Sequence, residues 1–230
     1  MNFSISGTIK QAYTLWKEHI FFTWMILGVM AVISIVFGII TPREGSVIIS
    51  LIDTLVRIFV ELGAVALLLV LVRTGKEGDI KEIFGQKEIF PQALLGQIIY
   101  GIMIVVGMIL LVIPGIYVAV RFMFLPYIFV DQKLGWKEAL AEASRLTEGR
   151  RWDLFVFSLA LILLNIVGAL LLLVGLLVTI PVSMIATTMM YEYLKKEKGG
   201  IKETVSETAP SVEPQEAVIE APAATPEPAA

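Results

Sequence analysis

Apolar residues run through the chain in six long stretches. They cover residues 20–40, 47–72, 93–113, 116–130, 154–178 and 181–193, with polar segments between most of them. A spanning helix needs about 20 apolar residues. The pattern therefore predicts six transmembrane helices, the second long enough to cross with tilt and the fourth short. A proline marks the turn after the first, third and fifth runs: Pro42 in "TPREGS", Pro114 in "IPGIY" and Pro181 in "TIPVS". Proline suits the first turn of a helix, where its missing N–H has no intrahelical partner to lose. The runs thus pair into three hairpins.

The polar segments carry a different period. Ile5, Ile9, Ala12 and Trp16 fall on one helical face, as do Trp136, Leu140, Ala143 and Leu146. Lys137, Glu138, Glu142 and Arg145 occupy the other side of the second segment. "GDIKEIF" is a shorter version, with Asp79 placed to cap a helix and Glu82 three residues on. Each segment precedes one hairpin. The predicted fold is all-α: a polytopic transmembrane helical bundle of six spans as three hairpins, each preceded by a cytoplasmic amphipathic helix. The unit reads as a threefold parallel repeat. The polar faces mix both signs, which favours elbows that turn the chain over strongly basic lipid sensors.

Charge sets the orientation. Fifteen Lys and Arg residues lie on the side of the N-terminus, the second-to-third and fourth-to-fifth segments and the end of the sixth run; the opposite side has only Arg43. Cytoplasmic loops carry the basic excess, so both termini are expected in the cytoplasm and the protein in the cytoplasmic membrane. Trp16, Trp136, Trp152, Tyr191 and Tyr193 fall near that interface, where amphipathic rings prefer to sit.

Composition agrees: 57% of residues are hydrophobic and 17% charged, against about 25% charged in a soluble domain. The absence of cysteine excludes disulfides, thiolate metal sites and Cys nucleophiles. The first residues carry no pattern of a cleavable signal peptide. Residues 198–230 are rich in Pro, Ala and Glu and poor in large apolar residues. They are expected to form a disordered acidic tail behind a membrane domain of residues 1–197. Nothing suggests a nucleic-acid partner.

One stretch breaks the apolar pattern. In "SLIDTLVRIFVELG", Asp53, Arg57 and Glu61 are spaced four apart and form a charged stripe on the second span. Arg121 lies in the fourth span. Charges at mid-bilayer cost several kcal/mol on insertion scales and normally face the bundle and pair. Counting inward at 1.5 Å per residue places Asp53 and Arg121 at about the same depth, 10 Å below the outer turns. The expectation is an Asp53–Arg121 bridge, with Arg57 held by Glu61, Asp53 or both. Two acids and two bases then balance as a packing lock; a transport path is the alternative.

The block "IPGIYVAVRFMFLPYIFVDQKLGWKEALAEASRLTEGRRWDLF", residues 113–155, resembles the prokaryotic membrane-domain family found beside some glycerophosphoryl diester phosphodiesterases. The features are the "IPGIY" turn, Arg121 and the elbow "EALAEASRLTEGRRW". The resemblance implies membrane architecture, mostly in proteins without an assigned function. It does not imply the phosphodiesterase activity, which resides in a separate soluble barrel of histidines and metal-binding carboxylates. The single histidine here, His19, cannot supply that set.

No nucleophile, metal or phosphate-loop constellation appears, so the expectation is a non-enzyme without cofactors. The leading functional reading is a membrane scaffold or accessory protein with an unidentified protein partner. A small-solute or ion transporter using the stripe is the second. A lipid-interacting protein, with headgroup contacts at Arg145, Arg150 and Arg151, is the third.

Overall fold

The computed structural model describes residues 4–40, 47–79, 81–171 and 175–208. In chain order the helices are α1 (Ile5–Glu18), α2 (Ile20–Ile40), α3 (Val47–Thr74), α4 (Lys81–Phe84), α5 (Phe90–Leu110), α6 (Val112–Arg121), α7 (Leu125–Gln132), α8 (Trp136–Thr147), α9 (Arg151–Leu170) and α10 (Leu176–Thr208). Among the described residues there is no strand. Helix α10 continues beyond residue 197, the expected end of the membrane domain. Most of the expected tail, residues 209–230, and the Pro42 turn lie outside the described residues.

Ser4 starts α1: its Oγ accepts the Gly7 N–H at 3.2 Å, which satisfies one of the free donors of a helix start. Ala12 and Trp16 of α1 are buried, and the helix packs along α10. Asp79 caps the short α4, with Oδ1 accepting the Lys81 N–H at 3.0 Å.

The three hairpins are present, but two of their turns are displaced from the prolines. Between α5 and α6 the chain reverses at one extended residue, Leu111 (φ -169°, ψ 143°). Pro114 sits inside the first turn of α6. The arms can close this tightly because Gly107 meets Gly115: a Cβ on Gly107 would lie 3.0 Å from the Gly115 Cα. Gly168 and Gly175 do the same between α9 and α10, where a side chain on either would strike the other's backbone. The sixth span therefore begins at Leu176, and Pro181 lies within α10. A proline inside a helix frees the carbonyl four residues back. Here that is the Leu177 carbonyl, and the Trp24 indole N–H of α2 donates to it at 3.0 Å.

The fourth span is interrupted. Pro126, second in α7, cannot donate and would clash with the carbonyl four residues earlier, that of Phe122. The helix breaks at Phe122–Phe124, and the Leu125 N–H takes the Phe122 carbonyl at 3.0 Å instead. The segment after α3 also departs from a simple loop. It folds back on α3, with Gly78 against Leu67 and Val70. The Phe90 ring at the start of α5 lies 5.7 Å from Phe59. The third span thus starts beside the middle of α3, about 20 Å from its end at 1.5 Å per residue.

The core gathers around the second half of α3, where Leu62, Ala64 to Leu69 and Leu71 are all buried. A helix apolar and enclosed all round is a central helix; α4, α7 and α10 surround it. The far ends of the hairpins are different. Ile35 and Ile39, Ile109 to Ile113, and Leu170 and Leu171 are apolar and exposed. Continuous apolar surface of this kind is rare on soluble monomers and is what hydrocarbon solvates. Six segments are long and apolar enough to cross a membrane: Ile20–Ile39, Leu51–Thr74, Phe90–Leu110, Val112–Gln132, Arg151–Leu170 and Leu176–Gly199.

Candidate functional site

The α3 stripe forms, but it does not close as one cluster. Asp53 and Arg57 pair within the helix, Arg57 Nε to Asp53 Oδ1 at 2.8 Å. Arg57 Nη1 also donates to Ser34 Oγ of α2 at 3.0 Å, so the pair fastens the two arms of the first hairpin. It is not enclosed: the Arg57 side chain is 48% exposed and that of Asp53 24%. Glu61 takes no part. It faces α5, where Gln97 Nε2 donates to its Oε2 at a long 3.5 Å. Among the described residues Glu61 makes no ion pair, so of the two partners expected for Arg57 it is Asp53 that holds it and not Glu61.

The Asp53–Arg121 bridge is not formed either. Arg121 ends α6, and its Nε donates to Ser144 Oγ of α8 at 2.8 Å. Its carbonyl accepts from Thr147 Oγ1 at 3.0 Å. Depth counting failed here because it assumed unbroken spans starting level. The break before Pro126 and the fold-back after α3 remove both assumptions.

The balanced lock does exist, at the other end of α3. Asp131, the penultimate residue of α7, has a side chain only 5% exposed. Arg73 Nη2 reaches its Oδ1 at 2.6 Å. Lys195 Nζ and the Tyr191 hydroxyl, both of α10, donate to Oδ2 at 2.5 Å and 2.6 Å. Arg73 Nε also donates to Glu192 Oε1 at 2.8 Å. Two acids and two bases tie α3, α7 and α10 together. A buried carboxylate tolerates its desolvation only when its lone pairs are met in this way. The sequence did carry a signal for it. Arg73 and Asp131 each close an apolar run, and Tyr191 and Lys195 share a helix face at i, i+4.

The three arginines expected at lipid headgroups separate. Arg145 is held by Glu142, with Nε to Oε2 at 2.7 Å. Arg150 is held by Glu197 at 2.7 Å and Asp153 at 3.3 Å. Each guanidinium is kept charged beyond the ordinary arginine range, Arg145 by its bonds to Glu142 and Arg150 by Glu197 and then Asp153. Arg151 has no carboxylate among the described residues. Its Nη1 donates to the Tyr117 hydroxyl at 2.5 Å, and its guanidinium stacks 5.1 Å over that ring. Its Nε is buried without a partner.

His19 lies between α1 and α2 with Nδ1 3.2 Å from Glu77 Oε1. Among the described residues no group of three or more His, Asp or Glu side chains is placed to hold a metal ion.

The six apolar helices and their lipid-suited hairpin ends define a multi-pass helical membrane protein. Residues 97–198 match the model of a family described as a protein of unknown function (DUF975). No curated protein and no solved structure matches. The matched segment includes Arg121, Asp131, Arg145, Arg150 and Arg151 and leaves out the α3 stripe. It supplies no support for the phosphodiesterase-associated membrane-domain family in particular.

Proposed function

We propose that the protein is a non-enzymatic membrane scaffold or accessory protein, in which the α2–α3 hairpin docks against a protein partner within the membrane plane. The observation that supports this is the half-exposed Asp53–Arg57 pair on an otherwise apolar hairpin. Intramembrane charges almost always face protein or a water-filled cavity, because hydrocarbon offers them no hydrogen bonds. Exposed to lipid, this pair is misplaced; covered by another helix with polar side chains, it becomes a register mark. Such a contact lets one helix recognise another where apolar packing alone gives little discrimination. The basic excess supports both termini in the cytoplasm and residence in the cytoplasmic membrane.

A transport reading uses the same exposure differently, with water on the pair. The absence of cysteine allows a clean test. Single cysteines along residues 50–64, in membranes, are exposed to an impermeant thiol reagent. Protection at positions 53 and 57 in cells, lost when the protein is purified alone, is the expected result. Labelling at those positions in cells would replace the scaffold reading with the transport one.

A further inference from the structure

Two open apolar recesses lie against α6 and α9. The first has a volume of about 270 Å³ and is lined by Ile113, Ile116, Tyr117, Val120, Arg151, Trp152 and Phe155. The second, of about 410 Å³, is lined by Ile116, Ala119, Val120, Phe155, Ser158, Leu159 and Ile162. They share Ile116, Val120 and Phe155. The linings are mainly apolar, and the one charged side chain in them is Arg151. It presents a guanidinium that no carboxylate of the described chain neutralises, with a buried Nε lacking any partner. A buried donor without an acceptor is costly, so this guanidinium is not fully satisfied by the described chain. Trp152 stands beside it, 74% exposed and 5.5 Å from the Phe155 ring. An exposed indole next to an arginine is the usual signature of a headgroup level.

We infer that this corner is a binding site for one anionic phospholipid, its phosphate on Arg151 and its acyl chains in the recesses beside Ile116, Val120 and Phe155. The guanidinium fork matches a phosphate with two parallel N–H bonds. Tyr117 holds the fork in place by accepting from Nη1 and stacking beneath it. Arg145 and Arg150 contribute little, because their own carboxylates occupy them. Basic pockets between spanning helices are a known mode of anionic headgroup capture. This site lies on α6 and α9 and does not depend on the α2–α3 docking reading.

The test uses the full chain in mild detergent, exchanged with mixed phosphatidylglycerol and phosphatidylcholine, with bound lipid read by native mass spectrometry. Wild type retains phosphatidylglycerol in preference to phosphatidylcholine. Arg151→Gln lowers that preference about tenfold, the loss of one charge-assisted contact. Ile116→Trp, which narrows both recesses where they meet, lowers total retained lipid while leaving the guanidinium in place. Arg145→Gln leaves both readings at the wild-type level. A wild type without headgroup preference overturns the site, as does an Arg151→Gln variant that keeps it. If inorganic phosphate displaces the bound species as readily as phosphatidylglycerol does, the ligand is a free phosphate and the lipid assignment is wrong.

Discussion

The two ends of α3 each carry an arginine bound to an aspartate, and the two pairs have opposite standing in the fold. At the Thr74 end, Arg73 meets an Asp131 that is almost wholly enclosed and is also bonded by Tyr191 and Lys195. At the Val47 end, Arg57 meets an Asp53 from its own helix, and both remain partly open. The first pair joins three helices distant in sequence. The second joins one turn of one helix and, among the described residues, reaches Ser34 of α2. Formal charge is balanced in both, so balance alone does not tell a lock from a docking mark. Enclosure and the number of helices joined do.

The largest effect on stability is expected from Asp131→Ala. It leaves Arg73 and Lys195 without their shared acceptor, and breaking one side of an enclosed ion pair costs about 3–5 kcal/mol. Thermal unfolding in detergent should show it as the most damaging charge change in the chain. Arg73→Gln should cost less, about 2 kcal/mol, because Lys195 and Tyr191 still hold Asp131 Oδ2 and only Oδ1 loses its partner. A cycle pairing it with Asp131→Ala should show coupling between the two. Arg57→Leu should change the stability of the isolated protein by no more than about 1 kcal/mol, as for other exposed pairs. It should nonetheless remove association with a partner in native membranes, read by co-purification. The smallest effect is expected at Glu61→Gln, which preserves a hydrogen bond to Gln97; unfolding should move by less than about 0.5 kcal/mol. A large loss there would mean that Glu61 belongs to a lock after all.

How far the sequence could be read follows the same division between local and distant. The six spans were legible because each is a continuous apolar run, and the Asp53–Arg57 pair because i, i+4 spacing places both side chains on one face. The prolines misled in a specific way. Pro114 and Pro181 stand inside helices that have already begun, three and six residues in, while the reversals are made by Leu111 and by the segment before Leu176. What permits those reversals is glycine meeting glycine, Gly107 with Gly115 and Gly168 with Gly175. Neither pairing is visible until two antiparallel arms are laid together. The Asp131 lock was marked only by charges that close apolar runs, and its pairing stayed out of view for a similar reason, since its members come from residues 73, 131 and 191–195. Arg121 was misplaced because a depth count treats each span as a straight, level rod. The rod breaks at Phe122, directly after Arg121, ahead of Pro126.

The docking proposal stands or falls on whether protein covers the Asp53–Arg57 face in the membrane. The most direct measurement places a photo-crosslinking amino acid at position 57 and irradiates intact cells. The expected result is a discrete adduct of higher mass in which the chain is joined to another polypeptide, with no such adduct from position 35, on the apolar face of α2. Irradiation that yields no polypeptide adduct at position 57, while a cysteine at the same position is labelled by an impermeant reagent in the same cells, would contradict it.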